Sequence, residues 1–192
     1  IAILITIWGS RLAWHIYSRS RRHGDDPRYQ KITEKWNGNI WLQAWPRIYL
    51  VQAILSWLVS MPIIMAASKP IEGLEWLVWA GTLVWAIGFI IEGIADRQLR
   101  KFLAQPNKPK VMDKGLWAYS RHPNYFGELV QWWGVGIIAL STQLGLIGLV
   151  GPALISYLII FVSGIPPIEN RKQKDPDYAA YMQRTSSLVL WP

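Results

Sequence analysis

Ionisable and amide side chains set inside apolar sequence mark where this chain could do chemistry. Glu92, Asp96 and Arg100 are spaced four residues apart, so on a helix they share one face. Asn124 and Glu128 repeat that spacing, and Gln131 continues their face. Arg11, His15 and Arg19 form a third such face. A carboxylate inside an apolar helix is costly, so a functional or paired role is the first reading of Glu92 and Glu128. Each face also has a plainer reading. Glu92 can simply neutralise a neighbouring Arg, and Arg11, His15 and Arg19 can be an interfacial helix end whose long side chains reach for water. Trp132 and Trp133 suit lipid-facing packing more readily than ring stacking. Lys108, Lys110 and Lys114 are orientation signals first and phosphate ligands second.

The elements that must position these residues are apolar runs. Ile1–Tyr17, Ile48–Ala67, Leu77–Ile94, Tyr125–Leu140 and Leu144–Ile165 are each apolar enough to enter a bilayer. A hydrocarbon core of roughly 30 Å needs about 20 helical residues, with about 17 as the lower limit. The second and fifth runs clear that length, the first and third are near it, and the fourth needs its flanks. In a chain of 192 residues, 52% of them hydrophobic, little is left over to bury five such runs, and an all-α multi-pass membrane bundle of about five spans is expected. The polar breaks between runs account for a mean hydropathy of only +0.16. With no internal repeat or linker, 1–192 reads as one membrane domain. The chain opens at Ile1 already inside an apolar run, without the charged start or small-residue cleavage site of a signal peptide, so further spans are expected upstream.

Charge and composition narrow the function. Zero Cys removes disulfide scaffolds, thiolate metal sites and cysteine nucleophiles, and no metal site is expected. Twenty Lys and Arg against twelve Asp and Glu give a net charge of +8, and their placement explains it. Six basic residues lie between Ser18 and Asn39, seven between Ala95 and Pro123, and four after Ile165, while the opposite loops hold Lys69. By the positive-inside rule the long basic segments and the C-terminus are cytosolic. The charge is topology, so no nucleic-acid partner is expected. The partners are the lipid bilayer and a lipophilic small molecule. The three polar faces then lie at cytosolic helix ends, around a pocket roofed by basic loops. The Pro- and Lys-rich segment Gln105–Lys114 reads as a loop, and Pro166–Pro167 as a sharp stop to the last span.

The most specific feature is Gly115-Leu-Trp-Ala-Tyr-Ser-Arg-His-Pro-Asn-Tyr-Phe-Gly-Glu128, followed by Trp132-Trp133-Gly134. It resembles a superfamily of small membrane enzymes comprising steroid 5-alpha-reductases, sterol reductases and isoprenylcysteine carboxyl methyltransferases. The likeness is greatest to the bacterial-type branch of 5-alpha-reductase-like proteins labelled as a domain of unknown function. Ala95-Asp-Arg-Gln98, Asp25-Asp-Pro-Arg-Tyr29, Gly164-Ile-Pro-Pro-Ile-Glu169, Tyr178, Tyr181 and Arg184-Thr-Ser186 extend it over essentially the whole chain.

The two enzyme branches imply different cofactors. Reductases of this group use NADPH. The resemblance implies that Asn124 and Glu128 match their Asn-x-x-Gly-Glu, that Asp96 and Arg100 contact the nucleotide, and that Arg184 completes the phosphate and ribose contacts. Lys110, Arg121, His122 and Tyr181 are the other cofactor-binding candidates. The methyltransferases hold S-adenosylmethionine around an Arg-His-Pro loop and follow it with Glu-Glu. This chain has Arg121-His122-Pro123, but Glu169-Asn170 in place of Glu-Glu, and it has Glu128. Both departures favour the reductase, as does a wall of cations suited to phosphates rather than to a sulfonium. No strand-borne Gly-x-Gly-x-x-Gly is present, so a Rossmann site is excluded.

The activity implied is reduction of a conjugated C=C bond in a steroid- or isoprenoid-like substrate, part of lipid metabolism. In the steroid enzymes a Glu and a Tyr from early helices hold the substrate carbonyl. The Glu is expected upstream of Ile1, and for the Tyr the candidates are Tyr17 and Tyr29, with His15 beside them; Glu128 is the remaining catalytic candidate. The alternatives are a methyltransferase and a non-catalytic subunit with a membrane-complex partner. The membrane is the plasma (inner) membrane for a bacterial protein and the endoplasmic reticulum for a eukaryotic one. The Cys-free background makes the topology testable: single Cys probes at Gln30 and Asp113 should be labelled from the same side of the membrane. Labelling from opposite sides would contradict the orientation.

Overall fold

The structure, a computed structural model, describes residues 1–23 and 36–191, apart from the side chains at 15 and 19–23. Among these residues the chain is helical and forms no strand; its one sheet-like pairing is an isolated parallel bridge between Ser120 and Ser186. It falls into two compact units, Ile1–Leu58 and Val59–Pro192.

In the first unit, α1 spans Ala2–His23 and carries Arg11. Asn39 caps α2 (Ile40–Ala44) by accepting hydrogen bonds from the Trp41 and Leu42 backbone N–H groups at 3.0 and 3.4 Å. A π-helical segment over Trp45–Leu50 and α3 (Val51–Val59) continue the same apolar path.

The second unit opens with α4 (Met61–Ala66), started by Pro62. It is organised by α5 (Trp76–Leu103) and α6 (Pro123–Ala139), which pack antiparallel. Arg100 and Lys101 fill the last turn of α5, where cations complement the exposed carbonyls. Pro123 starts α6, where its missing N–H costs no helical bond. A second segment runs through α7 (Val150–Tyr157), a π-helical stretch at Leu158–Val162, α8 (Ile165–Lys172) and α9 (Pro176–Arg184). Asp175 caps α9, its carboxylate accepting from the Asp177 N–H at 2.9 Å.

Three helical runs are long and apolar enough to cross a membrane: Ile40–Ala66, Trp76–Leu103 and Gly145–Lys172. They correspond to the second, third and fifth expected spans. Of the other two, α6 has 17 residues, and α1 carries Arg11 near its middle and Arg19, Arg21 and Arg22 toward its end. Pro166 and Pro167 do not end the last run as expected. They occupy the first turn of α8, where proline is tolerated, so the helical path resumes directly after Gly164. Outward-facing Trp79, Leu83, Ile87 and Ile90 on α5, and Leu146 and Phe161 further on, expose far more apolar surface than water favours.

Glycines set the approach of α5 and α6. Gly81 and Gly88 are seven residues apart on α5, and Gly127 and Gly134 are seven apart on α6. A Cβ on Gly81 would meet the Gly134 carbonyl oxygen at 2.5 Å, and one on Gly88 would meet that of Gly127 at 2.6 Å. Reciprocally, Gly127 sits against the Glu92 backbone nitrogen and Gly134 against that of Trp85, both at 2.6 Å from the notional Cβ. The obstacles are backbone, so any side chain at these four positions would push the helices apart.

Candidate functional site

That close pairing lets polar residues of the two helices meet. One turn beyond Gly88, the Gln131 side-chain amide donates to a Glu92 carboxylate oxygen and, at 3.3 Å, to the Gly127 carbonyl. Glu92 and Gln131 are both buried. Two of the expected polar faces, Glu92-Asp96-Arg100 and Asn124-Glu128-Gln131, are thereby joined through Glu92 and Gln131. An amide on the neighbouring helix is thus one partner of Glu92. Because the helices are antiparallel, Asp96 and Arg100 at the end of α5 lie toward the start of α6, where Asn124 stands.

The intervening segment folds back onto α5. Gly115 takes a φ of +65°, which an L side chain rarely adopts, and the Gln98 side chain fills the space where its Cβ would be. Gln98 Oε1 accepts from the Leu116 N–H at 3.1 Å, and the buried Trp117 indole N–H donates to the Ala95 carbonyl at 3.2 Å. A short 3₁₀ turn over Gly115–Ala118 then leads to Ser120, Arg121 and His122.

Arg121 is the anchor of this region. Its guanidinium donates to both Glu169 oxygens, from Nε at 2.7 Å and Nη2 at 3.2 Å, and from Nη1 to the Met182 and Thr185 carbonyls at 2.7 Å each. Its backbone N–H donates to the Ser186 carbonyl at 2.8 Å. The Ser120 hydroxyl donates to the Leu188 carbonyl at 2.8 Å and accepts from the His122 N–H at 3.1 Å. Four of the five guanidinium N–H groups are thus engaged in tying the C-terminal tail and α8 to the start of α6.

His122 lies beside this clamp. Its Nε2 is 3.2 Å from Glu169 Oε1 and its ring stacks on Tyr125 at 5.5 Å between centroids. Burial holds His122 below the usual histidine range, with the Arg121 and Lys172 charges acting in the same direction against the pull of Glu169. Burial likewise pushes the Tyr178 hydroxyl up to about 12, and it raises Tyr181 further. Both phenols therefore remain protonated donors at neutral pH.

The other expected site residues divide clearly. Asn124 is half-buried, with no side-chain hydrogen bond among the described residues, and Glu128 is half-buried one turn further along. Arg100 is exposed and likewise has no partner among the described residues. Arg184 pairs with Asp113 at 2.7 Å and Lys110 with Asp177 at 2.8 Å, so two ion pairs strap the 105–114 loop to α9. Asp177 holds the Lys110 ammonium above its ordinary range, first through the hydrogen bond and then through its charge. The Tyr181 hydroxyl points inward, donating to the Trp117 carbonyl and more weakly to that of Ser120. Tyr17, on α1 in the other unit, is exposed and packs on Trp14 at 6.1 Å. Tyr29, and the side chains of His15 and Arg19, lie outside the described residues. A cavity of about 310 Å³ beside Gln98 and Gly115 is lined by Lys101, Phe102, Met112 and Lys114.

Glu169 and Gln98 were not singled out as site residues by the sequence. Glu169 had a visible signal, a single carboxylate just after Pro166-Pro167 at the end of the last apolar run. Gln98 had none beyond its place in Ala95-Asp-Arg-Gln98.

A helical chain with three runs long and apolar enough to span a membrane, whose polar residues gather where its closest helix pair meets an Arg-anchored loop, belongs to the class of helical membrane proteins. Residues 1–185 match the family described as "Protein of unknown function (DUF1295)", and the chain belongs to that family. It is a steroid 5-alpha-reductase-like family: the chain is 37% identical over 65 residues to the "3-oxo-5-alpha-steroid 4-dehydrogenase 1" of Mus musculus. The proteins of the same name from Bos taurus and Rattus norvegicus match equally, at 37% over 65 residues. The aligned segment covers 33% of this chain and 25% of each relative, so the chain spans about a quarter of the length of the curated relatives it matches. No solved structure matches the chain.

The clamp predicts a stability effect. Glu169→Ala would leave the Arg121 guanidinium buried with only carbonyl partners, which should destabilise the protein by about 3–5 kcal/mol. Thermal unfolding in detergent measures it, and an unfolding midpoint equal to wild type would contradict the clamp.

Proposed function

We propose that this protein acts in a membrane reductase that takes NADPH and reduces a conjugated C=C bond in a lipophilic, steroid- or isoprenoid-like substrate. The observation that carries the proposal is Asn124. Its carboxamide stands at the first turn of α6 with no side-chain partner among the described residues, on the face that continues to Glu128 and toward the α5 end bearing Asp96 and Arg100. The relatives' name, a 3-oxo-5-alpha-steroid 4-dehydrogenase, supports redox chemistry beside a carbonyl on a flat apolar molecule.

The residues present fit such a cofactor. Asn124 can give and accept one hydrogen bond each, which matches a carboxamide. Glu128, one turn on, orients an NH₂ or a ribose hydroxyl. Asp96 binds ribose hydroxyls, and Arg100 is a cation open to phosphate. Lys110 and Arg184 would serve phosphates by exchanging Asp177 and Asp113 for them; exposed ion pairs of this kind contribute only about 0–1 kcal/mol, so the exchange is cheap. Arg121 acts indirectly by fixing the loop, and Tyr181 by bracing Trp117 beneath it. When bound, NADPH supplies the hydride. The chain's own part is to hold the donor ring, exclude water with its apolar helices, and hydrogen-bond the substrate carbonyl, for which Tyr17 and Tyr29 are the proposed donors. The basic loops would face the cytosol.

Binding of NADPH and of S-adenosylmethionine to wild type, Asn124→Ala and Glu128→Ala tests the proposal. Wild type should bind NADPH, and Asn124→Ala should bind it roughly tenfold more weakly, as expected for loss of about 1–1.5 kcal/mol. Glu128→Gln should keep part of the hydride-transfer activity and Glu128→Ala nearly none. Binding of S-adenosylmethionine in place of NADPH would assign the methyltransferase branch instead, and binding of neither would point to a non-catalytic subunit.

A further inference from the structure

We infer that Glu169 is a positioning residue for His122: it holds the ring's Nε2–H, and so presents Nδ1 as an acceptor for an N–H or O–H group of the bound ligand. The inference rests on the NADPH reading for the identity of that ligand. It concerns a residue, Glu169, that the reading itself does not use.

The argument begins with hydrogen-bond capacity. A neutral imidazole has one donor and one acceptor nitrogen, and an ionised carboxylate only accepts. With Nε2 at 3.2 Å from Glu169 Oε1, Nε2 carries the proton and Nδ1 the lone pair. The ring is 4% exposed, and Nδ1 has no partner among the described residues. Nδ1 lies at the edge of an otherwise buried ring and is not sealed inside the protein, so a donor on a ligand can reach and satisfy it. Asn124, two residues on, likewise has no side-chain partner among the described residues, so the same helix start offers two hydrogen-bonding groups to a ligand.

Glu169 can orient the ring without protonating it. Arg121 already engages both carboxylate oxygens, and the Ser187 hydroxyl adds a contact at 3.4 Å. The groups facing His122 are Glu169 and Lys172 from α8, Arg121 from the preceding loop, and the uncharged Tyr125 ring from α6. Burial and the two cations outweigh the single carboxylate, so the ring is neutral at pH 7. Protonation of Nδ1 would remove the acceptor. Ligand affinity should therefore hold through neutral pH and fall only in acid, below the ordinary histidine range.

A purely structural His122 needs only its bond to Glu169, and two amide substitutions separate the roles. Gln reaches as far as Nε2 and can keep the Glu169 contact, whereas Asn carries its amide at the position of Nδ1. NADPH affinity should fall about tenfold in His122→Gln and less in His122→Asn. The reverse order, with normal binding by wild type, overturns this inference alone. A wild type that binds no NADPH overturns both it and the reading it rests on. Should either variant fail to fold, ¹⁵N NMR of the imidazoles in detergent decides, with His15→Gln and His23→Gln leaving one ring. The expected spectrum is a neutral ring protonated at Nε2, whose Nδ1 signal moves on adding NADPH. A proton on Nδ1, a cationic ring at pH 7, or an unmoved Nδ1 overturns the assignment.

Discussion

The contact on which the second unit depends is the one between the glycines of α5 and α6. Helix association in a bilayer gains little from the hydrophobic effect, because lipid tails are as apolar as leucine, and it relies on close backbone packing instead. Gly81, Gly88, Gly127 and Gly134 provide that packing at two successive levels seven residues apart. The same closeness brings the Gln131 amide within reach of Glu92, so a carboxylate that would be very costly in lipid is paired inside the helix interface. Backbone approach comes first here, and the polar clasp follows from it.

A second constraint, electrostatic and outside the helix pair, fixes the loop that leads into α6. Arg121 collects a carboxylate and two backbone carbonyls that lie 48 to 64 residues later in the chain. The planar guanidinium suits this role because its donors are spread in a fixed fork, and a Lys could not span the same acceptors. Glu169 links the clamp to His122, and Gly115, Trp117 and Gln98 fasten the loop to α5 from the other side. Asn124 therefore projects from a backbone held at both ends. On the proposed reading, Asn124 would need no reordering when a ligand arrives.

Much of this was legible in the residues. Of the five apolar runs expected to span, three are helices long and apolar enough to do so, and the four-residue spacing of Asn124 and Glu128 placed them on one face of a helix. The Gly115–Glu128 motif carried the family. Pairings across elements were not legible, since spacing along a helix says nothing of the register between helices. Glu92 and Gln131 met because of four glycines whose seven-residue repeats were present in the sequence, though glycine in an apolar run is easily passed over as filler. Arg121 was expected at a cofactor, and its commitment to Glu169 and the tail depends on a chain reversal that no local pattern encodes. Pro166 and Pro167 read as a stop because proline breaks a helix interior; at the first turn of α8 the same residues start one.

The most direct test of the account is the thermal stability of Gly81→Ala and Gly127→Ala beside Gly9→Ala in detergent. A Cβ at Gly9 meets nothing within 4 Å, so that variant reports helix propensity alone. The glycine-packed pair predicts that Gly81→Ala and Gly127→Ala each lose about 1–3 kcal/mol through forced separation of the helices. Gly9→Ala should be neutral or slightly stabilising. Three variants of equal stability would contradict the claim that close approach of α5 and α6 holds the site together.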